Sequence, residues 1–534
     1  MPLNIRERSQ KVANCIKTKA AQTLKAISES TGLHPSSVHR HRQAMARRHQ
    51  YPESSFWESE VGYRWLVRLV FGVIYYFGIK QGVGAESLCE FFRAMHLETH
   101  VACSPSSLRQ LKQRVHEAVL DYAGAQAGHC QPSEGQGICV GADETFFGLP
   151  VLVLIELASG FIFIETECEN RTYATWMEQV QKGWADDRWH CHYLVSDGAK
   201  ALVKLAISGL GCVSVADLFH AMRALGKPIG QGLASQAAAL KKQQEKHQKQ
   251  RSKLGKDTPP PCLQSAIERM ETAQQQFQQD QQTYQTALER ISQLIHPFSI
   301  DSQQWQTEKA LLTHLAPPLQ HLWDLAQTYN PQKAQKAIDT FEKQIASFAQ
   351  GIDAWRQWVQ VALATQTQDP ARQNWVLSFL LPWLYWTQQA DKTRKPALKQ
   401  AYQQAASSAF DRLQQQPLTQ QMDNRQRQHW LLWGQDFCAK YQRTSSAVEG
   451  RNGYLSKLHH ARRGFSEQSL QVLTIIHNFD LKRADGTTAA QRLFDQEFPD
   501  LFESVLTQVG DLPMPRRSSK AHQPKTLYAA AFSA

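Results

Sequence analysis

The stretch ICVGADETF (138–146) decides the fold, because it begins a series of short apolar segments that are separated by turn residues. VLVLIEL (151–157) and FIFIETE (161–167) follow it, and the Ala-Ser-Gly between these two segments predicts a hairpin turn. YLVSD (193–197) and CVSVAD (212–217) come next, each after a helical sequence. Antiparallel strands followed by alternating helix and strand predict an α/β core built on a mixed sheet.

Three acidic residues are placed where such a core can bring carboxylates together. Asp143 lies in the first predicted strand and Asp197 ends the fourth, while Glu449 lies in TSSAVEGRNGYLSKL (444–458), a predicted helix. Carboxylate oxygens are the ligands that Mg²⁺ prefers, and a pair of such ions activates an oxygen nucleophile against phosphorus. We therefore predict a site for two Mg²⁺ ions, which Mn²⁺ can replace, at these three residues.

Other polar residues near these acids divide into a supporting pair and a solvated set. Asp217 ends the fifth predicted strand and His220 follows it, so that His220 can hydrogen-bond a metal ligand or a bound phosphate. A capping Asp217 beside a packed His220 is an equally good interpretation. Glu165, Glu167 and Glu169 share one face of the third predicted strand, and we expect them to be solvated.

The composition limits the class of protein. At 534 residues the chain is too long for one domain, and its 42% hydrophobic fraction is enough for packed cores. The ten cysteines include no CxxC pair, which argues against a disulfide framework and a zinc ribbon and favours a reducing compartment. No signal peptide opens the chain, and the longest apolar run, residues 65–79, is too short to span a bilayer. We therefore expect a cytoplasmic protein.

Positive charge is concentrated at the N-terminus. Residues 1–50 hold ten Lys and Arg but two acidic residues, a net charge of +8 within a total of +11. Residues 18–48 predict two helices around Thr31-Gly32-Leu33, and Pro35 suits the first turn of the second helix. This is the helix-turn-helix pattern, with 35–47 as the recognition helix. Such a segment favours binding to the phosphate backbone of DNA, although a solvated surface has the same composition.

The predicted recognition helix has an apolar and a polar side. Val38 and Met45 are seven residues apart, so both are expected to face the inside of the domain. The remaining polar side chains are expected to face outward, towards double-stranded DNA. The residues predicted to bind DNA are Ser36, Ser37, His39, Arg40 and Arg42.

From about residue 225 to residue 441 the sequence is helical throughout. Ten residues from Leu263 to Ile295 step alternately by four and by three, which predicts an a/d seam and an antiparallel hairpin with the preceding Lys241–Lys256. Nine of the fourteen tryptophans lie in residues 305–433. A packed helical core accounts for them, and base stacking at unpaired DNA ends is the alternative.

These patterns divide the chain into six segments. They are a helix-turn-helix domain (1–50), a second helical domain that is either DNA-binding or a connector (51–128), the first part of the α/β core (136–230), a helical insertion (231–440), the Glu-bearing helices of the core (441–483) and a C-terminal extension (484–534). The tail from about Gly510 is short of apolar residues, and we expect it to be disordered.

The acidic residues and their order resemble the DDE transposases of bacterial insertion sequences. That family has an RNase H-like fold with one Asp on strand one, a second on strand four and a Glu on a late helix, which here implies Asp143, Asp197 and Glu449. The 54-residue gap between the two Asp residues is ordinary for the family. The following gap of 252 residues is similar to members that carry an insertion domain before the Glu helix, and here that insertion would be all-helical.

Two further motifs carry the resemblance. D-x-F-H at 217–220 resembles a motif that follows the fifth strand in several such families. Glu449-Gly-Arg-Asn is similar to members with basic and amide residues just after the Glu, which implies supporting roles for Arg451 and Asn452. The Tyr-Arg-Glu-Lys spacing of some insertion-sequence families is not reproduced, so its roles are not carried over.

The resemblance implies a function in DNA recombination. A transposase of this kind binds the ends of its element, cuts DNA with water and joins strands through a freed 3′-hydroxyl, using two Mg²⁺ ions. The implied partners are double-stranded DNA at the element ends and the target, and further copies of the chain, as a homodimer or higher oligomer, in a synaptic complex at the bacterial nucleoid. A DNA-binding regulator with an inert core is an alternative, which the intact acid set disfavours. Another RNase H-like nuclease, such as a junction resolvase, would not need so large an insertion.

Overall fold

The structure, a computed structural model, describes residues 5–18, 23–48, 51, 53–184, 188–254, 260–462 and 464–515. The chain forms two compact units, one made of residues 1–130 with 455–534 and the other of residues 131–454. The predicted N-terminal domains therefore share a unit with the C-terminal extension, and the predicted sheet and helical insertion form the other. The predicted Glu-bearing segment, 441–483, is divided between the two units.

The N-terminal part of the first unit is helical. Its helices are α1 (Ile5–Thr18), α2 (Leu24–Thr31), α3 (Pro35–Arg48), α4 (Ser54–Trp57), α5 (Glu60–Gly72), α6 (Ala85–Ala94) and α7 (Pro105–Gln126). A π-helical segment, Val73–Ile79, follows α5, and a 3₁₀ turn, Leu97–Thr99, follows α6. α7 continues to Gln126, close to the end of the predicted second helical domain at residue 128.

The two predicted helices of the helix-turn-helix pattern are confirmed as α2 and α3. They are joined through Gly32, whose φ of +69° is a left-handed conformation that glycine adopts without strain. Val38 and Met45 of α3 are buried with Ile27 of α2 and Val12 of α1. α1 is not among the predicted helices, and it completes the apolar core of this small three-helix cluster.

A five-stranded mixed sheet lies in the second unit, as predicted. Its strands are β1 (Gln136–Phe146), β2 (Pro150–Glu156), β3 (Ile162–Glu167), β4 (Trp189–Ser196) and β5 (Val213–Ala216). The order across the sheet is β3-β2-β1-β4-β5. The first three strands pair antiparallel, whereas β1 with β4 and β4 with β5 pair parallel. The connections α8 (Tyr173–Gly183) and α9 (Lys200–Lys204), which a π-helical turn extends to Gly209, precede the two parallel strands.

A large helical region follows the sheet in the second unit. Its helices are α10 (Leu218–Leu254), α11 (Pro261–Leu294), α12 (Glu308–Thr328), α13 (Pro331–Gln366), α14 (Pro370–Trp375), α15 (Leu381–Lys392), α16 (Pro396–Gln414), α17 (Pro417–Gln421), α18 (Asn424–Lys440) and α19 (Ser446–Arg462), with a π-helical turn Val376–Leu380 before α15. The boundary between the two units falls inside α19. None of the helices in the described ranges combines the length and the apolar character needed to cross a bilayer.

Both faces of the sheet are covered by helices. All residues of β2 are buried, which is typical of a strand that packs on both sides. On one face, α13 contacts β5 so closely that a Cβ on Gly351 would lie 2.9 Å from Val215 Cγ2. On the other face, Trp176 of α8 is buried and its Nε1 donates to Glu144 Oε1 at 3.3 Å.

The tryptophan-rich block forms a packed core, which confirms the first of the two interpretations of its sequence. Trp355, Trp358, Trp375 and Trp386 are all buried. The indole Nε1 of Trp355 donates to Phe437 O at 3.2 Å, so that even its polar atom is satisfied inside the core. These four side chains are therefore not available for base stacking.

The last helices belong to the first unit. They are α20 (Glu467–Phe479), α21 (Ala489–Phe494) and α22 (Leu501–Gln508). The start of the predicted disordered tail packs here instead, because Leu512 is buried and Ala102 N donates to Pro513 O at 2.7 Å. The rest of that tail, residues 516–534, lies outside the described residues.

Candidate functional site

The sheet register places Asp143 and Asp197 at the same edge of the sheet, the one towards which β1 and β4 both run. Gly141 of β1 pairs in parallel with Val195 of β4, and each Asp follows its paired residue by two positions. Neighbouring strands run about 4.8 Å apart, so the backbones at the two Asp positions are adjacent. Asp197 is the first residue after β4 and is exposed, and its Oδ1 accepts a hydrogen bond from Ala199 N at 2.8 Å.

Helix α19 brings Glu449 to this edge. Gly141 has no side chain, and a Cβ there would lie 3.0 Å from Val448 Cγ2, so α19 packs closely against β1. One turn after Glu449, Asn452 Nδ2 donates to Asp143 Oδ2 at 3.0 Å. Residues three apart share a helix face, so this bond turns the face that carries Glu449 towards Asp143.

The electrostatics of Asp143 reflect this crowding. The pKa of Asp143 is raised to about 7, and burial is the largest cause. The negative charges of Glu449 and Asp197 contribute to the rise, while a backbone hydrogen bond at Glu144 opposes it. A carboxylate that is both partly buried and close to other carboxylates is a poor place for a negative charge unless a cation joins it.

Glu449 contacts His220 of the D-x-F-H motif. His220 lies in the first turn of α10, and its Nε2 is 3.2 Å from Glu449 Oε1. The other ring nitrogen of His220, Nδ1, lies 3.5 Å from Asp217 Oδ2. His220 thus lies between the two carboxylates and contacts Glu449, one of the predicted metal ligands, through Nε2, while its Nδ1 makes no hydrogen bond with any residue that the structure describes.

Asp217 has the role of a cap, the other interpretation that the sequence left open. It is buried, and its Oδ1 accepts from Phe219 N at 2.6 Å and from His220 N at 3.1 Å at the start of α10. Its Oδ2 accepts from Ser445 N at 2.8 Å and also from Ser445 Oγ. Asp217 therefore joins the start of α10 to the residue that precedes α19. The sequence contained no sign of Ser445, which is 228 positions away.

Arg451 attaches α19 to β3, an outermost strand of the sheet. Its Nε and Nη2 donate to the two carboxylate oxygens of Glu165 on β3, at 2.7 and 2.6 Å. The side chains of Arg451 and Glu165 are 3% and 0% exposed. The prediction that Glu165 is solvated is therefore wrong, because a partner 286 residues away buries and neutralises it. Glu167 and Glu169 are exposed, as expected.

The donor set at this edge suits a divalent cation in its chemistry, since carboxylate oxygens are the preferred ligands of Mg²⁺. Within the described ranges, however, no group of three or more His, Cys, Asp or Glu side chains stands in an arrangement that could hold a metal ion. Asp143 accepts from Asn452 and Glu449 lies against His220, so both carboxylates already have partners. A cation bound by Asp143, Asp197 and Glu449 would have to share or replace those two contacts.

The residues predicted to bind DNA lie on α3, in the first unit. Val38 and Met45 face the core of the three-helix cluster. Arg40 Nε donates to Ser36 O at 3.2 Å, within one turn of the helix. The predicted DNA-binding residues that are exposed are Ser36, His39, Arg40 and Arg42, and Ser37 is partly buried. The solvent face of α3 is therefore polar and positively charged.

A model of one protein family matches part of the chain. No curated protein matches the chain. The matching region, residues 376–521, covers part of the helical region of the second unit and the C-terminal part of the first. It includes Glu449, Arg451 and Asn452. It contains neither Asp143 nor Asp197. Over residues 376–521 the chain is similar to DUF6399, a family of unknown function.

Proposed function

We propose that the chain is a DDE-type transposase with an RNase H-like core, which cuts and joins DNA strands with two Mg²⁺ ions bound by Asp143, Asp197 and Glu449. One observation carries this proposal: Asn452 of α19 donates to Asp143 of β1 across 309 residues of sequence. This contact brings the helix with Glu449 back to the edge that holds both Asp residues. The strand order and the three antiparallel strands followed by parallel ones support the RNase H-like core.

The surrounding residues have distinct roles in this proposal. Asn452 orients the carboxylate of Asp143, and His220 orients that of Glu449. Arg451 fixes α19 on the sheet through Glu165. When bound, Mg²⁺ would neutralise negative charge on the phosphate and lower the pKa of the attacking water. The protein's own contribution is to hold three carboxylates together at the end of a rigid sheet.

The helix-turn-helix cluster is proposed to recognise the element ends. The exposed side chains of α3 include Ser36, His39, Arg40 and Arg42, which can contact phosphates and base edges in the major groove. The net charge of +8 in residues 1–50 supports binding to a polyanion. A homodimer or higher oligomer is proposed for the synaptic complex, because two element ends have to be held together.

Cleavage of the DNA that flanks the gene tests the proposal. The full chain is incubated with MgCl₂ and a plasmid that carries those flanking sequences, and nicked and joined products are followed on gels. Asp143→Asn, Asp197→Asn and Glu449→Gln are each expected to abolish cleavage and to leave DNA binding intact. Glu169→Gln is the matched control, because Glu169 is an exposed acid that follows the same sheet.

Thermal unfolding gives a second readout that does not depend on cleavage. Mg²⁺ and Mn²⁺ are expected to raise the Tm of the wild type and of Glu169→Gln, because a ligand that binds the folded state stabilises it. The same ions should leave the Tm of Asp143→Asn unchanged. The opposite result is that the wild-type chain protects DNA in footprinting without nicking it and that its Tm is unchanged by either ion. That result would identify a DNA-binding regulator with an inert core.

A further inference from the structure

Helices α10 and α11 form a long antiparallel hairpin in the second unit. Tyr284 Oη donates to Gly226 O at 2.9 Å, and further out Gln274 Nε2 donates to Gln244 Oε1 at 3.4 Å. Between residues 241 and 253 of α10, Gln244 and His247 are partly buried and the other side chains are exposed. These two residues are three apart and share the face that packs on α11. The outer half of α10 is therefore a solvated helix that is supported along one side.

This outer half is strongly basic. Residues 241–253 contain six Lys and Arg and one acidic residue, Glu245. Four of the lysines follow one another at intervals of four, three and four residues, and all four are exposed. At 3.6 residues per turn, this spacing keeps them within about 60° of one another around the helix. We call these residues the lysine stripe: Lys242, Lys246, Lys249 and Lys253.

The lysine stripe faces away from α11. Gln244, which contacts α11, is about 160° around the helix from Lys242. The seam between the helices therefore leaves the stripe in solvent. This stretch is also more basic than α13 of the same unit, which is nearly as long as α10 and carries four basic and three acidic residues.

We propose that the lysine stripe is a second DNA-binding surface, which binds the phosphate backbone of double-stranded DNA outside the carboxylate site. This inference rests on the proposed function in taking DNA as the polyanion, and it assigns a role to the helical hairpin. Lysines are point charges without the planar fork of arginine, so they suit phosphates better than base edges. The surface should therefore bind DNA of any sequence.

The stripe is long enough to contact several phosphates of a duplex. From Lys242 to Lys253 the helix rises about 16 Å, at 1.5 Å per residue. Along B-DNA each strand carries a phosphate about every 3.4 Å of axis, and because each strand also winds around the axis, a straight stripe reaches only part of the phosphates within this length.

Binding to a 60-bp duplex of arbitrary sequence tests the proposal. The full chain is measured in EDTA by fluorescence anisotropy over a range of KCl concentrations, and compared with the triple variant Lys242→Gln, Lys246→Gln, Lys249→Gln. The binding constant falls with rising salt, and each lost phosphate contact makes the slope of log K against log salt less steep by about 0.9. For the triple variant we expect the steepness of this slope to decrease by about 2 to 3 and the Kd to rise about 10- to 100-fold at low salt.

The matched control removes the same charge from another helix of the same unit. Lys333, Lys336 and Lys343 are exposed on α13, and their replacement by Gln also lowers the net charge by three. This control should change the Kd less than about threefold, since only the total charge differs. Equal weakening in both triple variants, with circular dichroism unchanged, would show a general charge effect and overturn the proposal.

Two further outcomes keep the surface and the catalytic proposal apart. Because the assay contains EDTA, it reports the stripe whether or not the chain cuts DNA. A loss of binding confined to the stripe variant supports the surface even if the cleavage assay fails. If the stripe variant instead loses binding to an RNA duplex of the same length and keeps its affinity for DNA, the assignment to DNA is overturned.

Discussion

Asp143 and Asp217 both lie at the end of the sheet in the second unit, but they differ in burial and in the number of hydrogen bonds that they accept. Asp217 is buried and accepts four hydrogen bonds, two from backbone N–H groups at the start of α10 and two from Ser445. Asp143 is partly buried and accepts from Asn452, while burial and the charges of Glu449 and Asp197 raise its pKa to about 7.

The difference teaches how to separate a structural acid from a functional one. Four donors around Asp217 stabilise its negative charge and fix the chain on either side of it. Around Asp143, burial is the largest cause that makes its charge costly in the folded protein, and the charges of Glu449 and Asp197 add to it. Burial with few compensating donors, next to other carboxylates, therefore distinguishes Asp143 from Asp217.

The largest expected effect comes from Asp143→Asn. Without this carboxylate, strand cleavage should fall by at least about 1000-fold, because removing one electrostatic contributor at a phosphoryl-transfer site costs about 100- to 1000-fold or more. In EDTA, however, the free energy of unfolding should rise by about 1 to 3 kcal/mol, because a negative charge that is partly buried and close to Glu449 and Asp197 is gone. Urea unfolding measures this rise, and a loss of stability would place Asp143 with Asp217 as a structural acid.

Glu165→Gln tests whether the anchor of α19 is needed to keep Glu449 beside Asp143. Breaking a buried ion pair leaves the Arg451 charge without its partner, which costs about 3 to 5 kcal/mol of unfolding free energy. Glu167→Gln on the same strand is the control, and a change at this exposed position should stay within about 0.5 kcal/mol. Equal effects of the two variants in urea unfolding would contradict the anchor.

Asp217→Asn tests whether the hydrogen bonds of Asp217 stabilise the fold. The amide can still accept from Phe219 N and His220 N through its oxygen, but its NH₂ group then faces the two donors of Ser445. We expect a loss of about 2 to 3 kcal/mol, the cost of leaving buried donors unsatisfied. Asp423→Asn is the matched control, because Asp423 is an exposed N-cap of α18 and Asn caps a helix about as well. A loss no larger than that of the control would remove the contrast with Asp143.

The smallest expected effect is the contribution of His192 to the pH dependence of the unfolding free energy. His192 of β4 stacks on Trp358 with ring centroids 4.3 Å apart, and burial, helped by the charge of His190, lowers its pKa to about 3. The unfolded chain binds the proton near pH 6.5 and the folded chain does not, so stability falls as the pH drops below about 6.5. At pH 5 the loss relative to pH 8 is about 2 kcal/mol.

His192→Gln should remove this part of the pH dependence. The variant and the wild type are compared by urea unfolding at pH 8 and pH 5, and the difference between them should change by about 2 kcal/mol. His321→Gln, at an exposed position on α12, should behave like the wild type at both pH values. Identical pH profiles for all three proteins would show that His192 titrates normally in the fold.

Several parts of the fold could be predicted because they depend on neighbours in sequence. The strands around Asp143 and Asp197 follow from alternating apolar runs and turn residues, and α2 and α3 follow from the turn at Gly32. The a/d spacing predicted the hairpin of α10 and α11. Helix α1 was missed, because its apolar residues become informative only once α2 and α3 provide a surface to pack on.

The residues of the candidate site could be named from the sequence, whereas their contacts could not. Asp143, Asp197 and Glu449 could be named from strand ends and a helix, but the prediction that Glu165 is solvated was wrong. Its partner Arg451 is 286 residues away, and spacing in sequence holds no information about a pair of that kind. The same holds for Ser445, which satisfies Asp217 from the far side of the helical region.

By itself, the sequence determined the positions of the strands, the basic N-terminal helices and the lysine-rich hairpin, since periodicity and charge act over a few residues. Tertiary structure alone decided which acids are satisfied and which are crowded. That outcome depends on α19 returning to β1, where Asn452 meets Asp143 and Arg451 meets Glu165. Hydrogen bonds and ion pairs form between groups that are close in space, and only the folded chain brings groups 286 and 309 residues apart into contact.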